Sequence, residues 1–101
     1  MSLERRLENK ISIVTGGASG IGEATVRLFV KHGAKVGIAD IDKDKGKKLE
    51  KELNFSNQNV FFKSLDVSSE NDWESFSADL SNKWGTLDIL VNNAGMSGVK
   101  G

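Results

Sequence analysis

The stretch that decides the fold is residues 10–33, which read KISIVTGGASGIGEATVRLFVKHG. Its first six residues are rich in β-branched side chains and predict a strand over residues 10–15 that is buried on both faces. Glycines follow at once, and a helix is predicted over residues 20–32, closed by a left-handed Gly33. Its apolar stripe should face the core and consists of Ile21, Ala24, Leu28 and Phe29. A strand that passes through glycines into a helix is the context that a phosphate-binding turn requires.

The same alternation continues along the rest of the chain. Further strands are predicted over residues 35–40, 59–65 and 87–91, separated by helices over residues 43–53 and 72–84. Ser68 or Ser69 is expected to cap the last helix. The predicted core contacts of these two helices are Leu49, Leu53, Trp73, Phe76, Leu80 and Trp84. This βαβαβαβ pattern predicts right-handed crossovers and a parallel sheet with helices on both faces.

Composition excludes several functional classes. With 101 residues the chain is long enough for one small domain with a modest core. It has 14 basic and 14 acidic residues, so no net charge favours nucleic acid or a membrane surface. It contains no cysteine, which excludes a disulfide framework and a thiol nucleophile. The N-terminal residues are too charged for a signal peptide, and no apolar run reaches the ~18–20 residues of a membrane span, so we expect a cytoplasmic protein.

The spacing of the glycines distinguishes between kinds of phosphate-binding turn. Thr15 precedes glycines at Gly16, Gly20 and Gly22, whereas the common dinucleotide fingerprint has the spacing G-x-G-x-x-G. A P-loop would continue with Lys and then Ser or Thr, but Glu23 follows here instead. Without that Lys and the hydroxyl that binds Mg²⁺, hydrolysis of nucleoside triphosphates is not expected.

The pattern T-G-x-x-x-G-I-G resembles the cofactor loop of the short-chain dehydrogenase/reductase family. Three further features resemble that family in the same order along the chain: Asp40 at the end of the second strand, Asp66-Val67 after the third, and the sequence NNAG at residues 92–95. The resemblance covers the chain from about residue 7 onward. It implies a Rossmann-like, doubly wound parallel α/β sheet, here of four strands in the order 3-2-1-4.

The resemblance also implies a cofactor and the residues that bind it. In the family this part of the sheet holds NAD or NADP, with a carboxylate such as Asp40 on the ribose hydroxyls and a pair such as Asp66-Val67 on the adenine. NADP-preferring members often carry a basic residue where this chain has Ser19 and Ile41, so NAD is predicted. The implied cofactor-binding residues are Gly16, Ser19, Gly20, Ile21, Gly22, Asp40, Asp66, Val67, Asn93, Ala94 and Gly95.

Alternative interpretations of some of these residues stay open at the level of sequence. Asp40 and Asp66 are also placed to cap the helices that follow them. Residues 40–46, DIDKDKG, begin like a calcium loop, but lysine stands where that loop needs its glycine and its bidentate glutamate, so no metal site is predicted. The single histidine, His32, is predicted at a helix C-terminus far from the glycines and is not expected to be a catalytic base.

Catalysis in the family belongs to a Ser, a Tyr and a Lys, which transfer a hydride between nicotinamide and a secondary alcohol or ketone. The chain contains no tyrosine. We therefore expect residues 1–101 to be the N-terminal, NAD-binding part of such an oxidoreductase, ending before its catalytic residues. Alternatives are a fragment that binds NAD or adenosine without chemistry, and one that self-associates through the exposed edge of the fourth strand. The cofactor loop resembles that of plant terpenoid or lignan alcohol dehydrogenases of this family.

Overall fold

The computed structural model describes residues 6–55 and 59–93, and all of the predicted strands and helices are present there. No boundary differs from its predicted position by more than two residues. The elements are β1 (Ile11–Thr15), α1 (Gly20–Lys31), β2 (Lys35–Asp40), α2 (Lys43–Leu53), β3 (Val60–Ser64), α3 (Glu70–Trp84) and β4 (Ile89–Asn92).

The strands form a parallel sheet in the order β3-β2-β1-β4, as predicted. β1 is an inner strand that pairs with β2 on one side and β4 on the other, so that Ile13 lies opposite both Gly37 and Leu90. The chain moves outward from β1 to β3 and then returns to the other side of β1 for β4. Because all strands run the same way, their carboxyl ends meet at one edge of the sheet. The point where strand addition switches from one side of β1 to the other lies between β1 and β4. That edge positions the candidate site.

Two apolar clusters cover the two faces of the sheet. On one face α1 and α2 pack on the sheet, and the members of this cluster include Val14, Val26, Val36, Ile38, Leu49 and Phe62. On the other face α3 is the helix that packs among the described residues, and the members include Ile13, Ala39, Leu65, Phe76 and Leu80, with Trp73 and Trp84 against them. All five residues of β1 are buried. The predicted inward faces of α2 and α3 are confirmed, because Leu49, Phe76 and Leu80 are all at most 4% exposed.

The predicted inward face of α1 is wrong. Ile21 and Leu28 are 73% and 52% exposed, whereas Val26 is fully buried. The reason is Gly22, where a Cβ would lie only 1.8 Å from the carbonyl oxygen of Gly16. The helix turns Gly22 toward the preceding loop, so the inward face of α1 is set by the close approach of its backbone to that of Gly16. Phe29, from the predicted stripe, does pack against the core.

Candidate functional site

A cleft of about 680 Å³ opens at the carboxyl edge of the sheet, above β1 and between the loops that lead into α1 and α3. Every predicted cofactor-binding residue that the structure describes lines it, and Ala94 and Gly95 lie outside the described residues. The lining residues are Gly16, Ser19, Gly20, Ile21, Gly22, Ala39, Asp40, Ile41, Leu65, Asp66, Val67 and Asn93. Residues far apart in the sequence therefore converge on one site.

The glycine loop, residues 16–22, forms one wall of the cleft. Gly16 and Gly20 have φ angles of 62° and 59°, a left-handed conformation that residues with a Cβ rarely adopt. The Gly16 N–H donates to the carbonyl oxygen of Ala39 at 2.7 Å, which ties the loop to the end of β2. Together with the close approach at Gly22, these contacts give the loop a defined shape.

The N-terminus of α1 is open where those of the other two described helices are closed. Its N-cap residue, Ser19, makes no side-chain hydrogen bond to the helix. By contrast, the side chains of Asp42 and Ser69 accept hydrogen bonds from backbone N–H groups of α2 and α3. The first-turn N–H groups of a helix lack partners within it and carry a partial positive charge. The first turn of α1 therefore offers an anion-binding end to the cleft that it lines.

Asp40 ends β2 and joins the glycine loop to the start of the next helix. Its Oδ2 accepts a hydrogen bond from the Ala18 N–H at 3.0 Å, and its Oδ1 accepts one from the Asp42 N–H at 2.9 Å. The interpretation of Asp40 as a helix cap is wrong, because Asp42 is the N-cap of α2 and accepts from the Lys45 N–H. An ionised carboxylate has about four acceptor positions, so Asp40 retains capacity for further donors in the cleft.

The β3–α3 loop, residues 65–69, forms the opposite wall. Asp66 Oδ1 accepts hydrogen bonds from the Ser68 hydroxyl at 2.6 Å and from the Ser68 N–H at 2.9 Å. These two bonds hold the pKa of Asp66 below its ordinary value of 3.8. Asp66 does not cap α3, since that role belongs to Ser69, which accepts from the Asp72 N–H at 3.1 Å. Asp66 is thus a carboxylate held in a fixed orientation at the cleft.

The end of β4 supplies the floor of the cleft on the far side of β1. The Thr15 hydroxyl donates to Asn92 Oδ1 at 2.8 Å, which joins the ends of β1 and β4. The next residue, Asn93, lines the cleft. Its Nδ2 is buried and has no hydrogen-bond partner in the described part of the chain. A buried amide donor without a partner is costly, so this atom is suited to an acceptor from a ligand.

Other candidate sites find no support in the described residues. His32 is the C-cap of α1, and a helix of 12 residues places it about 18 Å from the glycine loop. Residues 6–55 and 59–93 contain no cluster of three or more side chains able to hold a metal ion. None of the helices in those same ranges has the length and apolar composition needed to cross a bilayer.

Comparison with known proteins places this geometry in a family. A sequence profile described as "short chain dehydrogenase" matches residues 10–101. The chain is 50% identical over 94 residues to short chain aldehyde dehydrogenase 1 of Euphorbia lathyris, covering 93% of this chain and 32% of the relative. It is 48% identical over 97 residues to (+)-borneol dehydrogenase 2 of Salvia officinalis, covering 96% of this chain and 34% of that one.

A solved structure agrees with the sequence comparison. The 3-ketoacyl-(acyl-carrier-protein) reductase of Brucella melitensis, solved in complex with NADH, superposes with a TM-score of 0.77 at 34% identity, covering 83% of this chain and 33% of the reductase. The chain belongs to the short-chain dehydrogenase family of oxidoreductases. The predicted family, the Rossmann-like fold and the likeness to plant dehydrogenases are confirmed. The chain spans about a third of the length of the curated relatives that it matches.

Sequence reasoning missed several residues that build the cleft. Ala39 and Leu65 line it, and the available signal was their position at or just after the carboxyl ends of strands. Asp72 accepts a hydrogen bond from the Asp66 N–H at 2.9 Å, and the Trp73 indole N–H donates to the Val67 carbonyl at 2.9 Å. No sequence motif predicts these two contacts, because each depends on how the first turn of α3 packs over the loop.

Proposed function

We propose that the cleft binds the adenosine and pyrophosphate half of NAD. The observation that carries this proposal is that the uncapped first turn of α1 opens into the same cleft as the Asp40 carboxylate. A pyrophosphate needs N–H donors and a positive dipole end, and a ribose needs an acceptor for its hydroxyls. Both requirements are met within one cavity.

Each wall of the cleft has a proposed role. The glycine loop and the first turn of α1 would hold the pyrophosphate, because Gly22 lets the backbone approach closely. Asp40 would accept from the ribose hydroxyls, and Asp66 from the exocyclic amine of adenine. The buried Asn93 Nδ2 would donate to an acceptor on the nucleotide. Ala94 and Gly95, which follow in the sequence, stay predicted cofactor-binding residues.

The charges around the ribose position favour NAD over NADP. Asp40 would repel a 2′-phosphate, and the neighbouring Ser19 and Ile41 carry no positive charge to offset it. The nearby Arg27 is engaged by two carboxylates, Glu23 and Glu52, at 2.9 and 2.8 Å. The pairing raises the pKa of Arg27 and lowers the pKa of Glu52. Its guanidinium is thus already partnered on the surface between α1 and α2.

For the whole protein we propose hydride transfer between a nicotinamide and a secondary alcohol or ketone. Nicotinamide supplies the hydride chemistry when the cofactor is bound. Because the sequence has no tyrosine, the family's proton-transferring residue has no counterpart among these residues, and their proposed task is to bind and orient the nucleotide. Oxidation of secondary alcohols with NAD by the 101-residue chain alone would show that this division of roles is wrong.

Calorimetric titration tests the cofactor proposal. NAD and ADP-ribose should bind, and NADP should bind at least about tenfold more weakly, because hydrogen bonds to a charged group are worth about 1.5–3 kcal/mol. Asp40→Ala should weaken NAD binding and narrow the difference in affinity between NAD and NADP. Asp44→Ala removes the same charge from an exposed position in α2 and should leave both affinities unchanged. No heat with any nucleotide, or equal affinity for NAD and NADP, would contradict the proposal.

Pairing through the outer edge of β4 stays a prediction. β4 is an outer strand of the described sheet, and Leu90 on it is 51% exposed. An unpaired strand edge offers N–H and C=O groups to another strand. Size-exclusion chromatography at several concentrations tests self-association. A mass that rises with concentration would support it, and a monomer at every concentration would contradict it.

A further inference from the structure

The loop that would contact adenine is held from outside the cleft by one aromatic side chain. Trp73 lies in the first turn of α3 and packs against the apolar cluster on that face of the sheet. Its indole Nε1–H donates to the Val67 carbonyl oxygen at 2.9 Å. Val67 lines the cleft, whereas Trp73 does not. The side chain thus connects the core to the cleft wall without being part of that wall.

The peptide unit between Val67 and Ser68 is fixed at both ends. Its carbonyl oxygen accepts from the Trp73 indole, and its N–H, which belongs to Ser68, donates to Asp66 Oδ1 at 2.9 Å. A trans peptide is planar, so its C=O and N–H point in opposite directions, and fixing one fixes the other. The indole therefore helps to fix where the Ser68 N–H points, and through that N–H it acts on the Asp66 carboxylate, which also accepts from the Ser68 hydroxyl at 2.6 Å.

Two further hydrogen bonds hold the backbone of the loop at Asp66. The Asp66 N–H donates to Asp72 Oδ2 at 2.9 Å, and the Asp66 carbonyl accepts from the Ser69 N–H at 2.9 Å. No described hydrogen bond uses the Val67 N–H. The loop thus leaves one backbone donor and one carboxylate beside each other at the cleft, the pair that adenine needs for a ring nitrogen and its exocyclic amine.

We propose that Trp73 is a positioning residue for the adenine subsite, acting through the Val67–Ser68 peptide on the Asp66 carboxylate. This inference rests on the proposed function of the cleft. Its consequence is selectivity for the base. In hypoxanthine the exocyclic amine is replaced by a carbonyl oxygen, and the adjacent ring nitrogen carries a proton. The carbonyl oxygen would then face the Asp66 carboxylate, and the ring N–H would face the Val67 N–H. Adenine should be preferred only while the carboxylate is held in place.

The test compares two variants and two probes. Trp73→Phe keeps an aromatic ring against the core and removes the indole donor together with one of the two fused rings. Trp84→Phe is the matched control, because Trp84 packs against the same cluster, with its ring centroid 6.3 Å from that of Phe61. The probes are ADP-ribose and its hypoxanthine counterpart, inosine diphosphate ribose. Calorimetry gives the ratio of their dissociation constants for each protein.

The wild-type chain should bind ADP-ribose more tightly than the hypoxanthine probe. Trp73→Phe should weaken ADP-ribose by about fivefold, the size of one net hydrogen bond, and leave the hypoxanthine probe nearly unchanged. The ratio should stay at its wild-type value in Trp84→Phe. A ratio that is unchanged in Trp73→Phe, including an equal loss for both probes, overturns the positioning role and leaves the proposed function intact. If neither probe binds the wild-type chain, the proposed function itself fails and takes the inference with it.

A second measurement uses the wild-type chain alone, in case Trp73→Phe does not fold. The Trp73 indole N–H should exchange with solvent more slowly than a free indole, and its NMR resonance should move on addition of ADP-ribose. Exchange at the rate of a free indole would overturn the inference.

Discussion

The loops that lead into α1 and α3 open helices on opposite faces of the sheet, yet they line the same cleft. The glycine loop has left-handed glycines, and the helix behind it has no side-chain cap. In the β3–α3 loop the Ser68 N–H donates to Asp66 Oδ1, and Ser69 caps the helix behind it. The first loop leaves backbone donors open to a ligand, and the second leaves the Asp66 carboxylate beside the Val67 N–H. One cleft thus presents complementary groups to the anionic and the amine-bearing ends of a nucleotide.

The largest expected effect comes from Gly22→Ala in the glycine loop. A Cβ there would lie 1.8 Å from the Gly16 carbonyl oxygen. The loop must shift, so ADP-ribose affinity should fall by at least about a hundredfold, and overpacking should lower the free energy of unfolding by about 1–3 kcal/mol. Calorimetry and urea denaturation measure the two effects.

Gly85→Ala is the matched control for that change. It adds the same methyl group at a residue with a φ of 106° and nothing within 4 Å of the new Cβ. It should lower the free energy of unfolding by about 1–3 kcal/mol through backbone strain and leave ADP-ribose affinity unchanged. If both variants lose affinity equally, close approach in the glycine loop is not what shapes the site.

The second prediction compares the two N-caps. Ser69→Ala removes the hydroxyl that accepts from the Asp72 N–H and should lower the free energy of unfolding by about 1 kcal/mol. Ser19→Ala removes a side chain that makes no cap hydrogen bond and should change it by less than about 0.5 kcal/mol. Urea denaturation at pH 7 distinguishes them. Equal losses in the two variants would mean that the two helix ends do not differ.

The smallest effect concerns the charge of the β3–α3 loop. The Ser68 hydrogen bonds lower the pKa of Asp66 in the folded chain below 3.8, its ordinary value. The unfolded chain then binds more protons in that range, so the contribution to stability is present above about pH 3.8 and is lost as the pH falls through the lower folded pKa. NMR titration of the Asp66 carboxyl carbon should give a value below 3.8.

Variants of Ser68 distinguish the contribution of its hydroxyl to the pKa of Asp66 from that of its backbone N–H. Ser68→Ala should raise the pKa of Asp66 toward its ordinary value, because the hydroxyl is the largest cause of the shift. Ser68→Thr keeps the hydroxyl and should preserve the low value. A pKa of Asp66 that does not respond to Ser68→Ala would contradict the hydrogen bonding of this loop.

The strands and helices could be predicted from sequence because their determinants are local, whereas the strand order was implied by the family resemblance. Runs of β-branched residues mark the strands, and Gly33 and Gly85 follow the ends of α1 and α3. The positions of Asp40 and Asp66 at the cleft follow from the ends of β2 and β3. The inward face of α1 did not follow from hydrophobic periodicity, because the backbone contact between Gly22 and Gly16 outweighs the apolar pattern.

Contacts between distant segments were also beyond sequence reasoning. Gly46 lies inside α2, where glycine has low helix propensity, and a Cβ there would lie 2.0 Å from the ring of Phe62. Nothing near Gly46 in the sequence indicates that an aromatic ring occupies this space. Trp73 was correctly predicted to pack in the core, but the partner of its indole N–H is set by the fold of the β3–α3 loop.

The central claim is that the two loops act on one ligand, and backbone amide NMR during titration with ADP-ribose tests it most directly. We predict that the amide signals of Gly20, Gly22 and Val67 shift together with a single dissociation constant. The control region is the smaller groove between α1 and α2, which is lined in part by Arg27, Lys45 and Lys48. Shifts confined to that groove, or the absence of any shift at the two loops, would contradict the account.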